Sequence, residues 1–161
     1  MRKGNNEINY KIKNDNYNTP IEAFQLIFKY VDKTKKIWFP FFNDGSLSNH
    51  LETLEVNYIH SNENFFTYEP DFEILIDNPP YSIKQKVFER CIALDKPFAL
   101  LVPMDTLDRQ YFSRLFKDKD ITIIIPIKRY NFVSNEKKTS VPFKCIWVCC
   151  NFKLDKQIIF E

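Results

Sequence analysis

The largely apolar run Phe72-Glu73-Ile74-Leu75-Ile76-Asp77 breaks off at Asn78-Pro79-Pro80, and that break constrains the fold more than any other feature. Two adjacent prolines fix φ twice and remove two ladder donors, so a strand cannot pass through them. Beyond the turn, Ile83, Val87, Phe88 and Cys91 recur at helical spacing. The unit reads as strand, rigid turn, helix.

The same alternation runs along most of the chain. Thr19-Pro20 opens a helix, with Thr suited to the cap and Pro to the first helical position, and Ile21, Phe24, Ile27, Phe28 and Val31 form its apolar face. A short strand over 37–41 meets the turn Asn43-Asp44-Gly45-Ser46, and a helix follows through Leu47, Leu51 and Leu54. Strands are expected over Val56–His60, Phe72–Asp77, Pro97–Val102, Ile121–Ile125 and Phe143–Cys150, with a helix over Thr106–Phe116. Residues 126–143 read as a polar, basic loop. Strands alternating with helices predict an α/β fold with a mostly parallel sheet. In chain order the sheet should read second–first–third–fourth, with the last strand antiparallel beside the fifth. Only about a dozen residues separate the second strand from the third. No full helix–strand–helix fits there, so one sheet edge is expected to be truncated. Residues 1–16 are expected to form a flexible tail and 17–161 a single domain.

Composition narrows the function classes. Hydrophobic residues make up 44% of the 161-residue chain and aromatics 16%, enough for a packed interior. The net charge of +2 leaves room only for a small or local nucleic-acid footprint. The polar start and the lack of a long apolar stretch predict a soluble, intracellular protein without membrane contact, in the cytoplasm or in that of a host cell. Cys91, Cys145, Cys149 and Cys150 form no Cys-x-x-Cys pair, and His50 and His60 are not spaced to complete a metal site, so buried thiols and no metal are expected.

Ligands of doubly wound sheets bind beyond the carboxyl ends of the strands. Asn43–Ser46 and Asn78–Tyr81 both lie at such ends. In Asn78-Pro79-Pro80-Tyr81 the prolines stiffen the backbone and leave carbonyl acceptors facing outward. Asn78 adds an amide oxygen and Tyr81 a flat ring. A rigid set of acceptors beside a stacking platform suits an amine attached to a flat base. Such an amine is a poor nucleophile, because its lone pair is delocalised into the ring. Acceptors on its hydrogens draw the nitrogen toward a tetrahedral form and stabilise the charge that develops on attack.

Asp-Asn-Pro-Pro-Tyr-Ser at 77–82 resembles the catalytic motif of adenine-specific amino-methyltransferases, and the chain is similar to the small phage- and virus-type members of that family. Tyr17-Asn18-Thr19-Pro20 resembles their N-terminal motif on the cofactor side. The segment from Ile37 to Ser46 resembles their first motif, and Asn64-Phe65-Phe66 their segment beside the cofactor's adenine. The resemblance implies a Rossmann-like methyltransferase fold with S-adenosyl-L-methionine as cofactor. It implies Asn78, Pro79, Pro80 and Tyr81 as catalytic residues. Tyr17, Thr19, Pro20, Pro40, Phe41, Asp44, Gly45, Ser61, Asn64, Phe65 and Asn78 are implied to hold the cofactor. Asp44 reads either as a turn residue or as a partner of the cofactor's methionine amino group, and Phe65 as core or as cofactor wall. Where the family has an acidic residue after the second strand, this chain has Ser61, Asn62 and Glu63.

The implied substrate is adenine in nucleic acid, DNA ahead of RNA. Rival readings are an RNA adenine methyltransferase, a protein glutamine methyltransferase, and a catalytically weak subunit of a heterodimer. A partner subunit or a homodimer is also compatible with the pattern. Lys128, Arg129, Lys137 and Lys138 in the basic loop read either as a solvated hairpin or as a contact surface for phosphates. The small surface left outside the core predicts a short recognition sequence or a partner that completes it.

Overall fold

The computed structural model describes residues 18–134, 137–140 and 143–161, with side chains left out at 133, 134 and 137–140. Nine strands are described: β1 (Ile37–Trp38), β2 (Tyr58–Ile59), β3 (Ile74–Asp77), β4 (Phe98–Pro103), β5 (Ile121–Ile125), β6 (Asn131–Ser134), β7 (Lys137–Ser140), β8 (Cys145–Cys150) and β9 (Ile158–Phe160). Four α-helices accompany them: α1 (Ile21–Ile27), α2 (Leu47–Thr53), α3 (Lys84–Leu94) and α4 (Gln110–Phe116). The main sheet has seven strands in the order β2-β1-β3-β4-β8-β5-β9. The β2-β1-β3-β4 block is parallel, and β8 runs antiparallel between β4 and β5. This is the expected strand order. Nothing described pairs beyond β2, the truncated edge, while β9 adds a parallel strand beside β5 that the sequence pattern did not reveal.

Alternation along the strands sorts the core into two layers. Ile37, Phe39, Ile76, Ala99, Leu101, Cys145, Trp147 and Cys149 face α1 and α2. Trp38, Leu75, Phe98, Leu100, Val102, Ile146, Val148 and Cys150 face α3 and α4. Every residue of β4 and β8 is buried, as suits central strands covered on both faces. All four cysteines are free and buried. No helix among the described residues is long and apolar enough to cross a membrane.

Several elements are shorter than their apolar runs. α1 ends at Ile27, although Val31 still packs in the core. Thr19 does not cap it: Pro20 takes the cap position with no side-chain hydrogen bond. β1 stops at Trp38 because Pro40 has no N–H for the ladder. The helix expected over Thr106–Phe116 splits at extended Arg109 into a 3-10 segment, Met104–Asp108, and α4. Part of the loop expected at 126–143 forms the antiparallel pair β6–β7.

Candidate active site at the carboxyl ends of β1, β2 and β3

β1 and β3 are parallel neighbours, with Ile37 opposite Ile74 and Trp38 opposite Leu75. Their outgoing loops, 39–46 and 78–81, therefore leave the sheet on the same side. Residues 18 and 19 tie into both. The Asn18 amide donates to Asp44 Oδ2 at 3.1 Å, and its oxygen accepts from Asn43 Nδ2 at 3.2 Å. Asn78 Nδ2 donates to Thr19 Oγ1 at 2.8 Å. The threonine that the pattern placed at a helix cap instead orients the Asn78 amide.

That hydrogen bond turns Asn78 Oδ1 away from Thr19. The oxygen is fully buried and has no hydrogen-bond partner. An unpaired buried amide oxygen costs about 1–3 kcal/mol, so a site that keeps one is prepared for a donor. Pro79 is buried and Pro80 half-buried, and a 3-10 turn over Tyr81–Ile83 leads directly into α3. Tyr81 is half-buried. Its hydroxyl lies 3.3 Å from Cys145 Sγ, and its ring meets Phe143 edge-on at 6.0 Å. The chain returning from the β6–β7 hairpin thus fixes the tyrosine ring.

The loop after β1 is shaped by its glycine. Gly45 has φ +80°, and a Cβ there would approach the Phe42 ring to 2.9 Å. Asp44 Oδ1 accepts the Ser46 N–H at 3.0 Å. Burial works against the charged form of Asp44, but hydrogen bonds from Ser46 and Asn18 outweigh it and hold the carboxyl below its ordinary range.

At the end of β2, His60 stacks on Phe42 at 4.9 Å and its Nδ1 lies 2.9 Å from the Phe39 carbonyl. A carbonyl only accepts, so Nδ1 carries the proton. Burial lowers the pKa of His60 against the opposing pull of that carbonyl, which favours the neutral ring. Nε2 is then a bare acceptor, buried without a partner, and the neighbouring Ser61 hydroxyl is equally unpartnered. These orphaned atoms fit a ligand rich in hydroxyls.

The remaining candidates fall in different places. Pro20 and Phe41 are half-buried and Pro40 is buried. Asn64 Oδ1 accepts the Phe66 N–H at 2.9 Å, so its side chain closes a local turn. Phe65 is 4% exposed and packs among Trp38, Phe41 and Phe66, which makes it core; the half-exposed rings are Phe41 and Phe66. Lys128 and Arg129 are exposed. Tyr17 and the side chains of Lys137 and Lys138 lie outside the described residues. Pattern reading gave no site place to Asn18 or His60, whose contacts here come from tertiary neighbours. It also missed Asp77 as a site residue, although an acid closing an apolar strand was a signal to ask for its partners.

No family model matches the sequence, and no curated protein matches it. Among solved structures it is similar to a dimethyladenosine transferase from Plasmodium falciparum, with a TM-score of 0.54 and 12% identity over 83% of this chain and 61% of that one. It is also similar to a modification subunit assigned to a type I restriction enzyme from Vibrio vulnificus YJ016, with a TM-score of 0.52 and 11% identity over 94% of this chain and 46% of that one. The chain spans less than two thirds of the length of either. The strand order, the antiparallel insertion of β8 and these neighbours together identify the fold as the Rossmann-like methyltransferase fold.

Proposed function

We propose that the chain is an S-adenosyl-L-methionine-dependent methyltransferase acting on the exocyclic amine of adenine in nucleic acid, with DNA as the favoured polymer. The observation that carries this reading is Asn78 Oδ1, a buried acceptor without a partner at the end of β3, oriented through Nδ2 by Thr19. Both structural neighbours carry names of enzymes or subunits that modify nucleic acid or its bases, which is consistent with the reading.

The residues fit the cofactor. Asp44 keeps its charge and suits an ammonium group. Ser61 Oγ and His60 Nε2 suit ribose hydroxyls, and Thr19, Pro20, Pro40, Phe41, Gly45, Asn64 and Phe65 build or back the cleft. When bound, the cofactor supplies an electrophilic methyl group. On the substrate side, the adenine has to leave its stack to enter the cleft. Tyr81 offers its ring as a platform. Asn78 Oδ1, with the Pro79 carbonyl, accepts from the amine and favours its tetrahedral form as the nitrogen becomes positive. The surplus proton on the methylated nitrogen is strongly acidic and passes to solvent, so the reading needs no side-chain base.

Exposed Lys128 and Arg129 directly precede the β6–β7 hairpin and are candidates to meet phosphate. Replacing both by alanine should lower the slope of log affinity against log salt on duplex DNA by about two units, with cofactor affinity unchanged. Lys137→Ala and Lys138→Ala extend the series. An unchanged slope in filter-binding titrations would move the substrate surface elsewhere.

The deciding experiment offers the purified chain methyl-labelled cofactor together with DNA, RNA and protein pools. Label in N6-methyladenine of DNA is the expected result. Label in RNA corrects the polymer, and label in glutamine of protein replaces the reading. Absence of label together with absence of cofactor binding by calorimetry leaves a non-catalytic subunit.

A further inference from the structure

Asp77 is the last residue of β3 and only 3% exposed. No cation among the described residues forms an ion pair with it. Its two oxygens are divided between two loops. Oδ2 accepts the N–H of Phe41 at 2.7 Å, and Oδ1 accepts the N–H of Asn78 at 2.8 Å. The register explains why the carboxylate is there. With Trp38 opposite Leu75, Pro40 falls opposite Asp77, where a strand would continue the ladder. Proline brings no N–H, so backbone pairing between β1 and β3 stops. The next donor along β1's chain, Phe41 N–H, is taken up by a side chain instead. One buried group therefore closes the sheet at the point where the cleft opens.

We propose that Asp77 is a positioning residue: by holding Phe41 N–H and Asn78 N–H on one carboxylate, it sets the spacing between the cofactor-side loop and the amine-binding loop. This rests on the reading of Asn78 as the acceptor for the substrate amine. Only a carboxylate offers acceptors in both directions at this position. An asparagine in its place has one carbonyl oxygen and sets an NH2 group against the other N–H. One loop must then shift, and a misplacement of about 1 Å between reacting groups costs about a hundredfold in rate.

The charge state sets the pH at which both oxygens are free to accept. Burial pushes the Asp77 carboxyl up to about 8, against the opposing pull of the Phe41 and Asn78 N–H groups. The titratable group that senses it from α3 is Cys91, whose thiol burial keeps protonated. The carboxylate that accepts both bonds is thus fully formed only as the pH rises through that value, and both backbone N–H groups should report on this one titration.

The test compares the parent chain with Asp77→Asn and Asn78→Ala. Nitrogen-15-labelled parent is followed by amide NMR from pH 6 to 9.5, and each protein is assayed above the Asp77 midpoint for label transfer to an adenine-containing DNA oligonucleotide. In the parent, the Phe41 and Asn78 amide protons should shift together with a single midpoint. In Asp77→Asn that shared shift should vanish. Its kcat per folded molecule should fall about a hundredfold, with KM for the oligonucleotide little changed. A merely structural role would lower the melting temperature and leave kcat per folded molecule intact. Independent amide titrations in the parent, or an Asp77→Asn variant with parental kcat while Asn78→Ala is inactive, would overturn the inference and spare the reading of Asn78. Parental activity in Asn78→Ala would instead remove that reading, and the inference with it.

Discussion

Asn78→Ala is expected to lose about a thousandfold or more in methyl transfer while binding S-adenosyl-L-methionine within a few-fold of the parent. The expectation follows from where the side chain sits. Its Nδ2 is committed to Thr19, and its Oδ1 is buried without a partner. Truncation deletes an acceptor whose worth rises as the amine nitrogen gains charge, so the loss belongs in kcat rather than in binding. Thr19→Val should reproduce part of the loss, because the amide stays but nothing orients it. Single-turnover label transfer at saturating oligonucleotide, with calorimetry on the cofactor, separates the two effects. Parental single-turnover rates in Asn78→Ala would end the assignment of Asn78 as the amine's acceptor.

Trp147→Ala is expected to cost about 3–5 kcal/mol of stability, as deletion of a large, fully buried aromatic does. Trp147 sits mid-strand in β8 with no exposure. Its ring meets Phe24 of α1 at 6.0 Å, and its indole N–H donates to the Ala23 carbonyl at 3.2 Å. The substitution leaves a cavity and removes the hydrogen bond that ties the sheet to the α1 backbone. A domain of ordinary size has only about 5–15 kcal/mol in hand. The melting temperature should fall by about 10 °C or more in circular dichroism scans. Trp147→Phe should cost less, since most of the ring volume remains. A melt of Trp147→Ala indistinguishable from the parent's would mean that α1 is not anchored to the sheet through this residue.

How much of this was legible beforehand follows the range of each interaction. The β2-β1-β3-β4 order and the antiparallel β8 follow from strand–helix alternation and from the missing crossover helix, both of which are patterns along the chain. The break at Pro79-Pro80 pointed to the candidate site for the same reason. β9 escaped because Ile158, Ile159 and Phe160 form a run of three, with Ile158 and Phe160 more than half exposed, and an edge strand of that kind leaves almost no pattern. The shortening of β1 was foreshadowed by Pro40. Thr19 carried a misleading local signal, since a Thr-Pro pair fits a helix start equally well, and only the fold brings Asn78 to its hydroxyl. Asp77 and His60 were opaque because burial and backbone partners far along the chain decide what they do. The Phe41 amide lies 36 residues from Asp77 and the Phe39 carbonyl 21 from His60.

The antiparallel strand in the middle of the sheet also orders events in time. β4 and β5 do not pair; β8 stands between them and pairs with both, Phe98 meeting Cys150 and Ile121 meeting the same residue from the other side. Until residues 145–150 have been synthesised, two apolar strands each present an open edge to whatever chain is near. Contacts so distant in sequence also form slowly, because the intervening loop must be closed before they reward it. A nascent chain stalled short of residue 145 is thus the form most exposed to misassembly and to chaperone capture. Tyr81, which leans on Cys145 and Phe143, gains these contacts only when that last central strand docks.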